Sequence, residues 1–408
     1  MTRRVVVTGA AGLCPLGRDW PTIREGLQNR RSGVSRAEAW ASVRGLKTRL
    51  AAAVPDFRRP KHYSRKQVRG MGRVSLLSAR AAEGALTQAG LLGDAVLQSG
   101  RCGISFGSTS GSPPAIETYA EKVTVDRSLQ GITSSEYLRL MSHTTAANLA
   151  HFFSVRGRII PTNSACTSGS QGIGFAYEAV RHGLQDVMIA GGAEELHVIC
   201  TAVFDILYAT STRNDAPHEQ PRPFDRDRDG LVVGEGAAVL VLEAYEHAVA
   251  RGANILAEVV GFATNCDGAH VVNPNTATMR AVMEGALRDA ALEPGEIDYV
   301  SAHGTATEVG DIAESTATAG LFGKRPPVSS LKGYMGHTLG ACGALEAMAA
   351  VYHLHEGWLA GNLNLATVDP RCGDLNYLTE TRDFDGRTAM SNNFAFGGVN
   401  TSLIFARV

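Results

Sequence analysis

The sequence predicts a layered α/β fold with a largely buried sheet, and three observations carry that prediction. Short Val- and Ile-rich runs alternate with Ala-rich helical stretches along the 408 residues, the pattern of strands covered on both faces by helices. With 44% hydrophobic residues, 19% charged residues and a net charge of −1, the composition is that of a globular protein with a large core. The alternation also restarts. After Glu243 a helical stretch leads into a fresh strand, Ala257-Glu258-Val259-Val260-Gly261, which divides the chain into halves 1–250 and 251–408 with no low-complexity linker between them.

The first element is the strand at Arg4-Val5-Val6-Val7. The segment from Met1 to Val7 lacks the apolar core of a signal peptide. No apolar run approaches the roughly 18 residues needed to span a bilayer, so a soluble protein is expected. Further strands are predicted at Cys102-Gly103-Ile104-Ser105-Phe106, Asp186-Val187-Met188-Ile189-Ala190 and Ala237-Ala238-Val239-Leu240-Val241-Leu242. Thr8-Gly9-Ala10-Ala11-Gly12 imitates a dinucleotide loop, but the full glycine spacing is missing and no acidic residue closes a second strand near position 30. Asp225-Arg226-Asp227-Arg228-Asp229-Gly230 imitates the start of a calcium loop. Gly236 stands where that loop requires a bidentate Glu, and the alternating Arg residues cancel the acidic charge. No metal or cofactor is expected. The seven Cys are scattered singly, with neither metal spacing nor a disulfide framework, which points to a reducing cytoplasm. The near-zero net charge gives no reason for a nucleic-acid partner.

The candidate chemistry begins at Cys166. A strand-like approach, Arg158-Ile159-Ile160-Pro161-Thr162, breaks into Asn163-Ser164-Ala165-Cys166-Thr167-Ser168-Gly169-Ser170, and a helical pattern runs on from Ser168 to His182. Small neighbours leave room for a substrate carbonyl. The helix N-terminus aimed at the sulfur predicts a lowered thiol pKa. Taken alone, the segment suits a buried structural Cys equally well. Two further segments change the balance: Ser301-Ala302-His303-Gly304-Thr305-Ala306-Thr307 after the strand-like Ile297-Asp298-Tyr299-Val300, and Lys332-Gly333-Tyr334-Met335-Gly336-His337 after Pro327-Val328-Ser329-Ser330-Leu331. One Cys and two His, each at a strand end beside Gly and small residues, form a constellation.

From Arg4-Val5-Val6-Val7-Thr8-Gly9 to Ser391-Asn392-Asn393-Phe394-Ala395-Phe396-Gly397-Gly398-Val399-Asn400, the chain resembles the decarboxylating, elongation-type β-ketoacyl-acyl carrier protein synthases. The resemblance implies a thiolase-like fold, two pseudo-repeated halves in an α/β/α/β/α layering. It implies that Cys166 is the nucleophile with His303 and His337 beside it, that Lys332 is an organiser paired with the supporting acid Glu314, and that Phe396-Gly397-Gly398 is a gating loop. The N–H groups of Cys166 and Phe396 would form the oxyanion hole, Thr305 and Thr307 would contact pantetheine, and Ser110 would sit at the mouth of the acyl pocket. The implied reaction is condensation of malonyl-carrier protein, with loss of carbon dioxide, onto an acyl chain held on Cys166. Substrates arrive on the phosphopantetheine of acyl carrier protein, with no other cofactor. The assembly expected is a homodimer, or a heterodimer with a chain-length-factor-like subunit.

Departures from the commonest pattern are Ala395 for a Gly, no Thr near Val272, and the small Ser110 where many housekeeping synthases carry a bulky apolar residue. They favour a specialised polyketide or aryl-polyene pathway over housekeeping fatty acid synthesis. The alternatives are a noncatalytic chain-length partner, against which Cys166 argues, and a coenzyme A thiolase, which calls for a second Cys near the C-terminus where this chain has Asn392-Asn393-Phe394-Ala395-Phe396. From Arg58 to Arg73 the chain holds seven basic residues and no acid. Such a run reads either as solvated surface or as a dock for an acidic carrier. Arg65, Lys66 and Arg69 stand at helical spacing, on one face.

Overall fold

The computed structural model describes residues 2–408. Its strands are β1 (Val5–Leu13), β2 (Ser35–Arg36), β3 (Leu50–Ala51), β4 (Cys102–Gly107), β5 (Ile159–Thr162), β6 (Val187–Glu194), β7 (Gly236–Ala244) and β8 (Ala257–Cys266). They continue with β9 (Tyr299–Ser301), β10 (Pro327–Ser329), β11 (Trp358–Leu359), β12 (Asn376–Tyr377), β13 (Arg382–Asp383), β14 (Thr388–Phe394) and β15 (Val399–Ala406). Eleven of them make one sheet in the order β12-β10-β9-β14-β15-β8-β1-β7-β6-β4-β5.

That order reads the same way outward from its centre. On one side β1, β7 and β6 are successively antiparallel and β4 and β5 follow in parallel; on the other β8, β15 and β14 are antiparallel and β9 and β10 follow in parallel. β1 and β8 join the two wings, pairing Val5 with Val259. The predicted α/β layering is present. Helix Arg73–Ala89 covers β1 and β7 from outside, and Thr276–Ala290 covers β8 and β15. Helices Ser168–Arg181 and Cys342–Glu356 pack against each other between the wings, so the layers run α/β/α/β/α. The sheet is closed on both faces, which is why β7, GAAVLVLEA, is buried at every position instead of alternating.

Glycine marks the closest approaches. The dinucleotide lookalike lies inside β1, with no loop or helix at Gly9, and a Cβ there would stand 2.2 Å from the Ala85 carbonyl oxygen of the covering helix. The calcium lookalike is a structural loop. Asp225 accepts the backbone N–H groups of Asp227, Ala366 and Thr367, and the buried Arg228 reaches Asp369 at 2.7 Å and Asp311 at 3.5 Å.

Helix Cys342–Glu356 is buried on all its faces from Cys342 to Leu354, the signature of a core helix. Within it His353 lies edge-on to Trp358, ring centroids 4.6 Å apart. Burial, with neither ring nitrogen hydrogen-bonded, pushes its pKa down from 6.5 to about 3. The unfolded chain therefore binds a proton near pH 6.5 that the folded chain refuses until about pH 3, so stability is lost as pH falls through that window. At pH 5 the expected loss from this one group is about 2 kcal/mol. Urea unfolding at pH 7.5 and pH 5 checks this: His353→Phe is expected to remove that share of the acid sensitivity, and an unchanged difference refutes it.

Candidate active site

β5 delivers Cys166. It ends at Thr162, and a 3-10 turn, Ala165–Thr167, carries Cys166 to the N-terminus of helix Ser168–Arg181. Across the central layer the equivalent approach ends in a second 3-10 turn, Leu339–Ala341, before helix Cys342–Glu356. Both turns open on a non-glycine residue in the left-handed region, Ala165 at φ 51° and Leu339 at φ 48°. Residues held there cost on the order of 1–3 kcal/mol and persist where their surroundings fix them.

Cys166, His303 and His337 converge: Sγ and one ring nitrogen of each His lie within 4.8 Å of one another, all buried. His337 Nε2 is 3.1 Å from Sγ. His337 Nδ1 accepts the Leu339 backbone N–H at 3.3 Å, so the ring proton of the neutral imidazole sits on Nε2. His303 is fixed in the same sense, because its Nδ1 faces two donors, Lys332 Nζ at 3.1 Å and Asn393 Nδ2 at 3.3 Å. Burial, and then the Lys332 charge, hold both imidazoles well below their ordinary pKa. The site therefore presents two neutral Nε2–H donors. A metal-ligating His donates its other ring N–H to an acceptor; donors at both Nδ1 atoms oppose that use of the cluster.

Two expectations are corrected here. The thiol pKa is not lowered at rest: burial pushes Cys166 up to about 11, although the backbone N–H of Phe396, the Lys332 charge and its own N–H pull the other way. Desolvation of the thiolate outweighs the N-terminal dipole. Lys332 is not paired with Glu314. Its Nζ meets Glu346 Oε1 at 2.5 Å, with both side chains fully buried, and burial works against the lysine charge while Glu346 restores it above the usual range. Glu314 instead accepts the backbone N–H groups of His303 and Gly304, each at 2.7 Å, and burial pushes it up to about 8. It shapes the loop behind His303. Ser110 stands outside the lining of the cavity around Cys166; its N–H is held by Glu194 and its hydroxyl faces Cys200 Sγ at 3.8 Å.

That cavity has a volume of about 300 Å³ and is lined by Thr305, Thr307, Phe396 and Gly398 among others, with apolar walls from Phe204 and Leu207. Ala395 and Val272 line it too. Phe396 is 37% exposed and stands edge-on to Phe204, centroids 6.2 Å apart. Gly397 and Gly398, at φ 95° and 79°, make the turn behind it in a conformation that glycine alone adopts freely.

Sequence reasoning missed Glu346 and Asn393. Asn393 Nδ2 reaches Glu346 Oε2 at 2.6 Å and completes a Lys332–Glu346–Asn393 network under His303. A signal was present: a lone Glu in the apolar run Ala344-Leu345-Glu346-Ala347-Met348-Ala349 is tolerated in a core only when paired. Arg65, Lys66 and Arg69 are exposed and free of salt bridges among the described residues, but they lie in a run of turns, not on a helix. Regular helix begins only at Arg73, with Gly72 as its N-cap.

Fold and site together define a condensing enzyme of the thiolase-like kind, with a buried thiol set beside two imidazole N–H donors. The chain belongs to the β-ketoacyl synthase family: the family's N-terminal domain matches residues 2–248 and its C-terminal domain residues 256–366. A 3-oxoacyl-[acyl-carrier-protein] synthase 1 of Haemophilus influenzae is 35% identical over 99% of both chains. A β-ketoacyl synthase from Burkholderia phymatum superposes over the full length of both chains with TM-score 0.98 at 54% identity. A type II PKS ketosynthase, in complex with its acyl-carrier protein and bound to the hexaketide, also matches full length, with TM-score 0.89 at 29% identity.

Proposed function

We infer that this chain is a β-ketoacyl-acyl carrier protein synthase, an acyltransferase that extends an acyl chain in fatty acid or polyketide biosynthesis. The observation that carries the reading is the placement of Cys166 Sγ against two imidazoles that both expose Nε2–H. In the first half-reaction the sulfur attacks an acyl thioester, a bond forms between Sγ and the acyl carbon, and the thiol proton leaves on the departing carrier. The N–H groups of Cys166 and Phe396, the two backbone donors that favour the thiolate, hold the tetrahedral oxyanion in this reading.

In the second half-reaction malonyl-carrier protein loses carbon dioxide, and its electron pair passes to the thioester oxygen as an enolate. His303 and His337 donate to that oxygen. The enolate carbon attacks the acyl carbon, the bond to Sγ breaks, and the released thiolate takes up a proton from water, one proton being consumed for each carbon dioxide released. Lys332 and Asn393 keep His303 in the donor tautomer. Thr305 and Thr307 serve the pantetheine arm, which enters past Phe396. A thiolase reading is not favoured, because the C-terminal segment offers Asn393 where that chemistry calls for a thiol. Intact mass spectrometry after incubation with a panel of acyl-carrier proteins tests the function: one acyl mass on Cys166, discharged by malonyl-carrier protein, is expected. A protein that never acquires the acyl mass refutes it.

The partner we assign is an acidic acyl carrier protein docking on Arg65, Lys66 and Arg69. Their exposure and unpaired charge support it. Reversing all three charges is expected to raise KM for carrier-bound substrate at low salt and flatten its salt dependence; an unchanged KM returns them to solvated surface. We further propose a homodimer. Edge strand β5, with Ile159 42% exposed, leaves one side of the sheet open to pairing with a second copy, and sedimentation of the purified chain distinguishes that from a monomer awaiting a chain-length-factor-like subunit. Among the described residues no helix is long and apolar enough to cross a membrane. All seven cysteines are free, which supports a cytoplasmic location.

A further inference from the structure

Glu194 closes β6, is fully buried, and has no part in the steps above. Four donors converge on its carboxylate. Oε2 accepts the backbone N–H of Thr109 at 2.9 Å and of Gly340 at 3.0 Å; Oε1 accepts the N–H of Ser110 at 3.3 Å and the Ser108 hydroxyl at 3.4 Å. Every partner donates, so the cage matches a carboxylate, which accepts only, and not an amide, which must also donate.

The bonded segments lead to opposite sides of the nucleophile. Gly340 lies three residues beyond His337, and the N–H just before it, that of Leu339, sets the His337 tautomer. Leu339 holds its left-handed conformation only while the turn around it is fixed. On the other side the Ser108 carbonyl accepts Asn163 Nδ2 at 2.5 Å, three residues before Cys166. The approach is close enough to require glycine: a Cβ on Gly340 would lie 2.8 Å from Glu194 Oε2 and 2.9 Å from the Thr109 nitrogen.

We propose that Glu194 is a positioning residue that clamps the His337 turn to the Ser108–Ser110 loop and so fixes the His337 Nε2–H against the reacting centre. The proposal rests on the synthase reading, in which His337 stabilises the enolate. Glu194→Gln keeps the shape but turns an NH2 toward backbone N–H groups. Steady-state release of carbon dioxide from malonyl-carrier protein is expected to show kcat down about ten- to hundredfold with KM within about twofold, in a protein whose circular dichroism matches the parent. A structural role alone would not divide kcat from KM in this way. Unchanged kcat in the folded variant, or a loss confined to KM, overturns the proposal. If Glu194→Gln does not fold, Glu194→Asp, which keeps the charge and shortens the reach by one methylene, carries the same comparison, and full activity in it overturns the proposal equally. A parent protein that releases no carbon dioxide counts against the synthase reading instead.

Discussion

Cys166→Ala is expected to abolish acyl loading and to lower condensation by at least about 10³-fold, since removing a nucleophile disables the whole covalent route. The protein is expected to remain folded. Cys166 is 4% exposed, in a turn held by the Ser164 N–H on Ser168 Oγ and by Thr162 Oγ1 on the Ser168 carbonyl, and none of those bonds uses the sulfur. Decarboxylation of malonyl-carrier protein is a separate matter, because His303 and His337 keep the partners that fix their Nε2–H atoms. Carbon dioxide release is therefore expected to persist when loading has vanished, and to be lost in His303→Ala and His337→Ala. Intact mass for loading and trapped carbon dioxide for decarboxylation measure the two steps independently. Acyl transfer that survives in Cys166→Ala would refute the nucleophile assignment.

The same turn illustrates what was legible in the sequence and what was not. Strand, break, small residues and helix are local features, and the residues from Ile159 to Ser170 announce them by their types. The two imidazoles were legible for the same reason, each just after a strand and beside a glycine. The resting thiol pKa was not. The dipole of helix Ser168–Arg181 is a local property, but the desolvation that overrides it comes from walls supplied by remote segments such as Phe394 to Phe396 and His337. Glu314 failed likewise. The resemblance implied it as a partner for the lysine, but its helix, Glu308–Phe322, turns the carboxylate toward the backbone N–H groups of His303 and Gly304. The lysine finds its acid on another helix. Arg65, Lys66 and Arg69 show the opposite error: helical spacing was read into a stretch that folds as turns, with a single helical bond from the Val68 N–H to the Ser64 carbonyl.

Lys332→Met is expected to produce the other large effect, on stability and chemistry together. The Lys332–Glu346 pair is fully buried at 2.5 Å, and removing one partner of such a pair leaves an unpaired charge at a cost of about 3–5 kcal/mol. Asn393 Nδ2 remains on Glu346 at 2.6 Å, a neutral donor that softens the loss without replacing a cation. His303 Nδ1 keeps only the longer contact to Asn393, 3.3 Å, and the proton is no longer confined to Nε2. An enolate meeting that ring in the other tautomer finds a lone pair where it needs a donor, so decarboxylation is expected to fall about ten- to hundredfold. Loading of Cys166 is expected to suffer less, because Lys332 acts on the thiol and on His337 only through its charge and hydrogen-bonds to neither. The control is Lys332→Met combined with Glu346→Leu, which removes both charges. Stability is expected to recover, since apolar replacement of a buried pair is often neutral or favourable, while decarboxylation stays low. Urea unfolding and carbon dioxide release on the single and double variants separate the two effects. If the double variant regains decarboxylation along with stability, Lys332 acts only through folding, and its hold on the His303 tautomer has no part in the reaction.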